Sequence, residues 1–546
     1  MSNGERMKHP YAIALDAGAS RHNHTGSWRT QRPVYVHRLP PCNDACPAGE
    51  DIQGWLAFAE AGDYEASWRA LTQNNPLPAI MGRVCYHPCQ SACNRAQLDE
   101  AVGINAVERF LGDLAIEKGW RFDPPTVESG KRVLVVGAGP AGLAAAFHLR
   151  RLDHGVTLRD ASDAAGGMMR YGIPKYRLPR NVIDAEVARI VDLGVTLELN
   201  APVSDIETAM AGGFDAAFLA VGAHIARRAY IPAAGAARIL DAVALLRSME
   251  GAEPPLLGRR VAVYGGGNTA LDAARTARRL GAQEAVVVYR RTREKMPAHG
   301  FELEEALEEG VSMKWLSTIT AADGVQLTLE KMRLDESGVP QPTGEFETLE
   351  ADSLVLALGQ DADLALLEKA PGVVVKHGVV EIGPDMMTGR RGVFAGGDMA
   401  PSERTVTAAV GHGKLAARCI DAFLRGEAFL HPDRPQRAGY ERLNTWYYED
   451  APQAVRPMLE AARRLESFAE AQGGLDETHA AFEARRCLSC GNCFECDNCY
   501  GVCPDNAVIK LGAGQGFAID GDFCKGCGLC AAECPCGAID MVDEEV

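Results

Sequence analysis

KRVLVVGAGPAGLAAAFHLRRLDHGVTLRD, residues 131–160, decides the fold of the central part of this chain. Residues 132–136, RVLVV, have the composition of a buried strand, and residues 143–152 favour a helix. Between them lies a G-x-G-x-x-G turn formed by Gly137, Gly139 and Gly142. Such a turn lets the backbone approach a pyrophosphate at the start of the helix. The segment therefore predicts a βαβ unit that binds a dinucleotide.

The acid at the end of the second strand supports this prediction. Asp160 closes that strand, where a carboxylate can accept hydrogen bonds from ribose hydroxyls. A glycine turn alone is a weak signal, but here the strand, the helix and the acid all accompany it. We therefore expect a bound dinucleotide rather than a simple loop.

A second glycine unit occupies residues 259–298 and carries Gly265, Gly267 and Ala270. Its second strand ends in Arg290 and Arg291 instead of an acid. Guanidinium groups bind a 2′-phosphate with paired hydrogen bonds, whereas a carboxylate would repel it. This pattern favours NADPH over NADH; the alternative is a solvated basic turn, with NAD(H) as the cofactor.

After the second unit the chain is predicted to return to the first sheet. Residues 351–360, ADSLVLALGQ, indicate an apolar strand that ends in glycine. Residues 391–417 indicate a strand, then Gly397 and Asp398, then a helix that starts near Thr405. A helix N terminus offers free N–H groups that suit a flavin carbonyl or a phosphate. Asp398 suits hydroxyls of a ribityl chain, with a simple turn aspartate as the alternative.

These motifs resemble flavoproteins in which an NAD(P)-binding domain is inserted into an FAD-binding domain. More narrowly, GGMMRYGIPKYRLP (166–179), FLAVGA (218–223), YGGGNTALD (264–272) and VFAGGD (393–398) resemble the glutamate synthase small-subunit family. That family includes NADPH:ferredoxin-type oxidoreductases and the flavin half of dihydropyrimidine dehydrogenase. The resemblance covers residues from about 40 to 425.

The resemblance implies two sets of cofactor-binding residues. FAD is expected at Gly137, Gly139, Pro140, Ala141, Gly142, Asp160, Gly166, Gly167, Gly397, Asp398 and Thr405. NADPH is expected at Gly265, Gly267, Asn268, Thr269, Ala270, Arg290 and Arg291. One departure is Asp160, where the family usually has the longer glutamate, so the ribose contact is expected to be looser or water-bridged.

Two cysteine runs near the C terminus have the C-x2-C-x2-C-x3-C-P spacing of a bacterial two-cluster ferredoxin. The fourth cysteine of each run in such a module binds the other cluster. The resemblance therefore implies two 4Fe-4S ligand sets, which are Cys493, Cys496, Cys499 and Cys534, and Cys524, Cys527, Cys530 and Cys503. A zinc ribbon is the alternative for any single C-x2-C pair.

The N-terminal cysteines resemble the helical two-cluster domain that opens glutamate synthase small-subunit-like proteins. The family signature EA-x-RCL-x-C is absent before Cys42, but EARRCLSC stands at residues 483–490. The resemblance implies that this lead-in has moved to the far end of the chain. Cys487 and Cys490 are then expected to join Cys42 and Cys93 on one cluster.

A second N-terminal cluster is expected at Cys46, Cys85 and Cys89. Relatives supply the fourth ligand from a non-cysteine side chain, and Glu108 stands at the family's ligand position, with His87 as the rival. About four clusters then use fifteen of the seventeen cysteines and leave Cys419 and Cys536. The rival count is three clusters, with Cys487 and Cys490 idle or binding zinc.

The predicted fold is multidomain: an α-helical Fe-S domain, an α/β flavoprotein with two dinucleotide-binding domains, and a ferredoxin-like α+β domain. Its parts are an N-terminal extension (1–30), the helical 4Fe-4S domain (31–125), the FAD-binding domain (126–250 and 355–425), the inserted NAD(P)-binding domain (251–354), a helical linker (426–486) and the ferredoxin domain (487–546).

Composition narrows the class of protein. The net charge of −17 argues against a nucleic-acid partner, which needs a basic face. No secretory signal and no run of 18 or more apolar residues is evident, so we expect no membrane span. Seventeen cysteines bunched at ligand spacings indicate metal binding in a reducing cytoplasm rather than disulfides.

Together these features predict an NAD(P)H:acceptor oxidoreductase that transfers electrons between NADPH and ferredoxin or a partner redox enzyme through FAD and 4Fe-4S clusters. Positioning the nicotinamide against the flavin supplies most of the catalysis, so we assign no catalytic acid or base. The alternative is an electron-transfer subunit of a larger 2-oxoacid:ferredoxin oxidoreductase, aromatic acyl-CoA reductase or glutamate synthase. A redox sensor or cluster carrier would not need an NADPH site beside a flavin.

Overall fold

The computed structural model describes residues 22–27, 29–227, 230–235, 238–251 and 253–544. Most of the predicted N-terminal extension (1–30) lies outside the described residues. Within the described part, no helix combines the length and the apolar character needed to cross a membrane.

The elements of the first third are, in chain order, β1 (Gln31–Tyr35), α1 (Pro41–Ala45), α2 (Ile52–Glu60), α3 (Tyr64–Thr72), α4 (Pro78–Val84), α5 (Pro88–Ser91), α6 (Ile104–Lys118), β2 (Arg132–Val136), α7 (Pro140–Arg151), β3 (Gly155–Arg159), α8 (Met168–Tyr171), α9 (Arg180–Val191) and β4 (Thr196–Glu198). The middle continues with α10 (Ile206–Met210), β5 (Ala216–Leu219), β6 (Ile225–Ala226), β7 (Ala233–Ala234), β8 (Ile239–Asp241), α11 (Ala242–Ser248), β9 (Arg260–Tyr264), α12 (Asn268–Arg279), β10 (Glu284–Val288), α13 (Gly300–Glu308), β11 (Val311–Lys314), β12 (Ser317–Asp323), β13 (Gln326–Leu334), β14 (Pro340–Glu350) and β15 (Ser353–Leu356). The last part has β16 (Gln360–Asp361), β17 (Val375–Lys376), β18 (Val379–Val380), β19 (Val393–Ala395), α14 (Val406–Arg425), α15 (Ala461–Glu466), α16 (Glu477–Arg485), α17 (Asn498–Val502), β20 (Val508–Gly512), β21 (Gly516–Ile519), α18 (Leu529–Ala532) and β22 (Ile539–Asp543).

Helices α1–α6 form the N-terminal helical domain. Aspartates cap two of them: Asp51 accepts a hydrogen bond from the N–H of Gly54, and Asp63 accepts one from Ala66. The apolar side of α2, with Trp55 and Leu56, packs into a core that also contains Ala484 of α16. The far end of the chain therefore completes this domain.

The first sheet is parallel, with strand order β19-β5-β2-β3-β4. The predicted glycine unit is its centre: β2 leads into α7 and then into β3. Helix α14 crosses α7 closely, because a Cβ on Gly413 would lie 2.3 Å from the carbonyl oxygen of Ala141. This crossing brings the chain after β19 back against the first glycine turn.

The second sheet has the order β11-β10-β9-β15-β8 and is built on the second glycine unit. The strand expected at 351–360 forms as β15, but it pairs with β9 in this sheet rather than with the first sheet. A Cβ on Gly265 would lie 2.3 Å from the carbonyl oxygen of Ala357, so the turn after β9 packs on the end of β15. The inserted domain therefore extends beyond the predicted 251–354, from β8 through β15.

The ferredoxin-like module contains α17, the hairpin β20–β21, α18 and β22. Strand β22 pairs antiparallel with β1, with Gln31 opposite Asp543 and Tyr35 opposite Ile539. Residues 31–35, predicted within the helical domain, are therefore an edge strand of this module. The predicted linker 426–486 is α-helical only in α15 and α16, and it has short 3-10 turns at Tyr440–Arg442 and Thr445–Tyr447.

Candidate cofactor and cluster sites

The first glycine turn has room for a cofactor at one position and is tightly packed at the others. A Cβ on Gly137 would lie 2.4 Å from the carbonyl oxygen of Ala220, and one on Gly142 would lie 1.8 Å from the carbonyl oxygen of Gly137. A Cβ on Gly139 would meet only the Cα of Gly167, at 3.9 Å. The backbone at Gly139 is thus open to a pyrophosphate, as FAD requires.

The predicted residues around this turn lie against it. Gly167 has φ +51°, and a Cβ there would lie 2.8 Å from the Cα of Gly139. Gly166 precedes it with φ +125°. Pro140 and Ala141 are the first residues of α7. The two loops thus meet backbone to backbone, with no space for a side chain at Gly167.

Asp160 holds the turn itself. Its carboxylate accepts hydrogen bonds from the backbone N–H of Ala138, at 2.6 Å, and of Ser162, at 2.7 Å. The acid is therefore beside the glycine turn, as expected. Its contact with ribose stays a prediction.

Gly397, Asp398 and Thr405 precede helix α14 near the same turn. A Cβ on Gly397 would lie 3.1 Å from the Cβ of Ala141, and its N–H donates to Nδ1 of His412 at 3.1 Å. Thr405 caps the helix by accepting a hydrogen bond from the N–H of Ala408 at 3.1 Å. Burial raises the pKa of Asp398, and Arg404 opposes that shift. The cap role of Thr405 was not part of the prediction.

The second glycine turn opens at Gly267, where a Cβ would meet nothing within 4 Å. Asn268 and Thr269 begin α12, and Ala270 is buried beneath them. The amide of Asn268 donates to the hydroxyl of Tyr86 at 2.6 Å and accepts from the N–H of His299 at 3.1 Å. Asn268 therefore joins the nucleotide domain to the loop of predicted cluster ligands.

The two arginines after β10 differ from their neighbour Arg293, which pairs with Glu304. Arg290 is exposed, whereas the Nε of Arg291 is buried without a hydrogen-bond partner within the described residues. A buried donor without a partner is costly unless a ligand satisfies it. The arrangement fits a 2′-phosphate.

Four cysteines from both ends of the chain line one cavity. They are Cys42, Cys93, Cys487 and Cys490. The side-chain amide of Asn94 donates to Sγ of Cys490 at 3.4 Å. Burial, followed by the neighbouring thiols, raises the pKa of Cys42. The structure thus brings together the set predicted for a shared cluster, and the ligand role itself stays a prediction. We call these residues the shared site.

Arg486, the residue before Cys487, fixes this arrangement through contacts with the N-terminal domain. Its guanidinium donates to the carbonyl oxygens of Ala101, at 2.9 Å, and Glu100, at 2.7 Å, and pairs with Asp99 at 3.3 Å. Its own carbonyl accepts from Arg95 at 2.8 Å. Because Arg486 is 2% exposed, this network is largely shielded from solvent.

Cys46, Cys85 and Cys89 lie near the buried carboxylate of Glu108: burial raises the pKa of each thiol, and electrostatic repulsion from Glu108 adds to the shift. The amide of Asn75 donates to Glu108 at 2.8 Å and to Glu50 at 3.0 Å. Glu50 also faces the three thiols and was not anticipated from the sequence. Its only sequence signal is its position four residues after Cys46. We call this group the three-cysteine site.

His87, the rival ligand, lies elsewhere. Its ring packs on Phe301 with the ring centroids 5.9 Å apart. Burial, followed by the positive charge of Arg456, lowers the pKa of His87 to about 4. The imidazole therefore lies against the nucleotide domain.

The ferredoxin-like module brings its cysteines together in the crossed pattern. Cys503, Cys524, Cys527 and Cys530 line a second cavity, which we call the Cys503 site. Cys493, Cys496, Cys499 and Cys534 form the Cys534 site, where burial raises the pKa of Cys493, Cys496 and Cys499 and the neighbouring Cys534 adds to each shift. Across the described ranges, no group of three or more His, Cys, Asp and Glu side chains is close enough to hold one metal ion.

Two family models match the chain. That of the pyridine nucleotide-disulphide oxidoreductases matches residues 131–413. That of dihydropyrimidine dehydrogenase domain II, described as carrying a 4Fe-4S cluster, matches residues 27–120. The two matches correspond to the two-sheet region and the helical domain described above.

Three curated relatives illustrate the similarity. The chain is 36% identical over 498 residues to the beta subunit of the NADP(+)-dependent formate dehydrogenase of Moorella thermoacetica, covering 82% of this chain and 70% of the relative. It is 31% identical over 526 residues to the NADPH-Fe(3+) oxidoreductase subunit beta of Geobacter sulfurreducens, covering 84% and 77%. It is 32% identical over 421 residues to the NADPH glutamate synthase small chain of Azospirillum brasilense, covering 71% and 87%.

Proposed function

Because the chain belongs to the pyridine nucleotide-disulphide oxidoreductase family, we propose that it exchanges electrons between NADPH and a partner oxidoreductase subunit. The chain is an NADP-dependent iron–sulfur flavoprotein oxidoreductase. FAD would supply hydride acceptance from NADPH, and the clusters would supply one-electron transfer. The residues proposed here to hold these groups are those of the two glycine turns and of the four cysteine sites.

The shared site is the single observation that carries this proposal. Cys42 and Cys93 belong to the helical domain, and Cys487 and Cys490 immediately precede the ferredoxin-like module. A cluster held by both pairs would fix the distance between the flavoprotein and the module. A chain with only a flavin activity would not need its two ends to meet at thiols.

The protein's own groups position and shield the cofactors rather than move protons. The open backbone at Gly139 and Gly267 accommodates phosphates, and Arg291 supplies a buried donor beside the second turn. Asn268 connects that turn to Tyr86, which lies in the same loop as two cysteines of the three-cysteine site. The turn proposed here to bind NADPH is therefore in direct contact with the cluster loop.

A partner subunit is favoured over free ferredoxin by the relatives. Two of them are named as beta subunits, of a formate dehydrogenase and of an NADPH-Fe(3+) oxidoreductase. The acidic chain, with a net charge of −17, suits a partner with a basic docking face. Ferredoxin is the second candidate, because the C-terminal module itself resembles one.

Anaerobic assay of the purified chain tests the oxidoreductase activity. We expect NADPH oxidation with an artificial one-electron acceptor, and purification from the native host with a tag on this chain should bring an untagged redox subunit along. Protein that holds FAD and iron in full but does not oxidise NADPH would contradict the activity. Purification of the active chain alone, with reduction of added ferredoxin, would favour the second candidate acceptor.

A further inference from the structure

Each of the two cluster sites of the ferredoxin-like module has the same kind of hydrogen bond from a backbone N–H to a ligand sulfur. The N–H of Ala538 donates to Sγ of Cys534 at 3.3 Å, and the N–H of Ala507 donates to Sγ of Cys503 at 3.3 Å. Both contacts arise from the same local sequence plan, CPDNA at 503–507 and CPCGA at 534–538. This contact is common to both sites, and the Cys534 site has one further backbone donor, the N–H of Glu495, which lies 3.5 Å from Sγ of Cys493.

Side-chain donors make the sites different. Sγ of Cys536 lies 3.6 Å from Sγ of Cys534, and the hydroxyl of Tyr35 donates to Sγ of Cys499 at 3.2 Å. Both acceptors belong to the Cys534 site. In the other repeat, Asp505 replaces Cys536 and has no proton to donate. Within the described residues, no side chain donates a hydrogen bond to a sulfur of the Cys503 site.

The direction of these hydrogen bonds follows from the chemistry of a cluster ligand. A cysteine that binds iron is a thiolate, so Cys534 and Cys499 can only accept. The protons therefore remain on Cys536 and Tyr35. Cys536 is 2% exposed, so water does not compete for its thiol.

We propose that Tyr35 and Cys536 are positioning residues that raise the reduction potential of a cluster at the Cys534 site above that of its neighbour at the Cys503 site. Reduction adds one electron and hence one negative charge, while no bond forms or breaks and both protons stay in place. Hydrogen bonds to the ligand sulfurs stabilise this more negative state and so raise the potential. The assignment rests on the ligand sets proposed above.

The site with the extra donors is also the one beside the shared site. The N–H of Gly491, next to Cys490, donates to the carbonyl oxygen of Cys536 at 2.6 Å. Reduction of the module is therefore expected to begin where it adjoins the rest of the protein.

The test is a redox titration, followed by EPR, of the cluster-loaded full chain and of Tyr35→Phe, Cys536→Ala and Cys536→Ser. In the wild type, the two module clusters should have separate midpoints. Tyr35→Phe and Cys536→Ala should each lower the higher midpoint potential by about 59 mV. For a one-electron reduction, this shift is a tenfold change in the equilibrium constant. Cys536→Ser keeps a donor and should stay nearer the wild type.

Matched controls are Tyr500→Phe and Cys419→Ala. Tyr500 is a half-exposed tyrosine beside Cys499, and Cys419 is a buried cysteine in α14, far along the chain from the module. Both controls should leave both midpoints unchanged. A shift in either control equal to that of the test variants would overturn the proposal.

Two further outcomes would overturn the inference. At full iron content, unchanged midpoints in Tyr35→Phe and Cys536→Ala would exclude a tuning role. Loss of about four irons in Cys536→Ala would instead make Cys536 a ligand. If the underlying ligand assignment is wrong, the wild type itself would hold fewer than about eight irons in the module. That result is distinguishable from failure of the tuning role alone.

Discussion

Cys42 and Cys487 stand near opposite ends of the chain, and their side chains line the same cavity. The contact requires the helical lead-in α16 to pack into the N-terminal domain, where Ala484 joins the core around Trp55 and Leu56. It also requires Arg486 to be held by carbonyl groups of that domain. The two ends of the chain are therefore joined by packing and hydrogen bonds, independently of any bound cluster.

The basic turn after β10 is expected to determine the choice of nucleotide. Arg290→Ala/Arg291→Ala should raise KM for NADPH by about 10-fold or more, since hydrogen bonds to charged groups contribute about 1.5–3 kcal/mol. KM for NADH should change little. Arg293→Ala is the control, because Arg293 is paired with Glu304. Equal losses with both nucleotides would contradict the 2′-phosphate assignment.

The fourth ligand of the three-cysteine site can be identified by iron analysis. Glu108→Ala should lose about four irons per chain, because three cysteines alone leave a 4Fe-4S cluster one ligand short. His87→Ala should keep them, since the imidazole packs on Phe301. Full iron content in Glu108→Ala would exclude Glu108, and loss in His87→Ala would favour the rival.

A buried ion network joins the linker to the inserted domain. Glu309 pairs with Arg275 at 2.7 Å, Arg279 at 2.5 Å and Arg464 of α15 at 3.4 Å, and it is completely buried. Glu309→Gln should lower the free energy of unfolding by about 3–5 kcal/mol, because it leaves buried guanidinium groups without a counter-charge.

Denaturant unfolding measures this loss of unfolding free energy, with Glu65→Gln as the matched control variant. Glu65 and Arg69 form an exposed pair, with side-chain exposures of 48% and 42%, so a change within about 0.5 kcal/mol is expected. If the two variants lose the same amount, the buried network does not stabilise the fold as we infer.

Stability should rise with pH between about 5 and 6.5 because of His148. Burial, then the charges of Arg151 and Lys414, lower its pKa from 6.5 to about 3. In that window the unfolded chain binds a proton that the folded chain does not, so stability increases with pH. The contribution is complete above pH 6.5 and is lost progressively as the pH falls towards 3.

Thermal unfolding midpoints measured across this window test the assignment. The unfolding free energy of His148→Gln should rise less steeply with pH than that of the wild type. The two slopes should differ by up to about 1.4 kcal/mol per pH unit. His431→Gln, at an exposed position, should keep the wild-type slope. A slope that is the same in His148→Gln and in the wild type would contradict the role of His148.

The parts of the fold that follow local rules were predictable from sequence. Both glycine units form as expected, because a strand, a glycine turn and a helix are adjacent in the chain. The meeting of Cys487 with Cys42 was predicted only because EARRCLSC resembles a family signature found elsewhere in relatives. Spacing alone could not have paired residues so distant in sequence.

The features that were not predicted from the sequence depend on contacts between segments that are far apart in the chain. Strand β15 has an apolar pattern that fits either sheet, and only its pairing with β9 determines which sheet it joins. Strand β1 contains Pro33 and is short, so its pairing with β22 is not visible locally. Glu50 was not singled out from the sequence, because its burial beside Cys46 comes from the fold of the helical domain.

Iron per flavin in the anaerobically purified chain, compared with Cys487→Ser/Cys490→Ser, tests the central claim most directly. We expect about sixteen irons per FAD in the wild type and about four fewer in the double variant, with loss of one cluster signal by EPR. Cys419→Ser should leave the wild-type value unchanged. About twelve irons in the wild type, unaffected by the double substitution, would contradict the shared cluster.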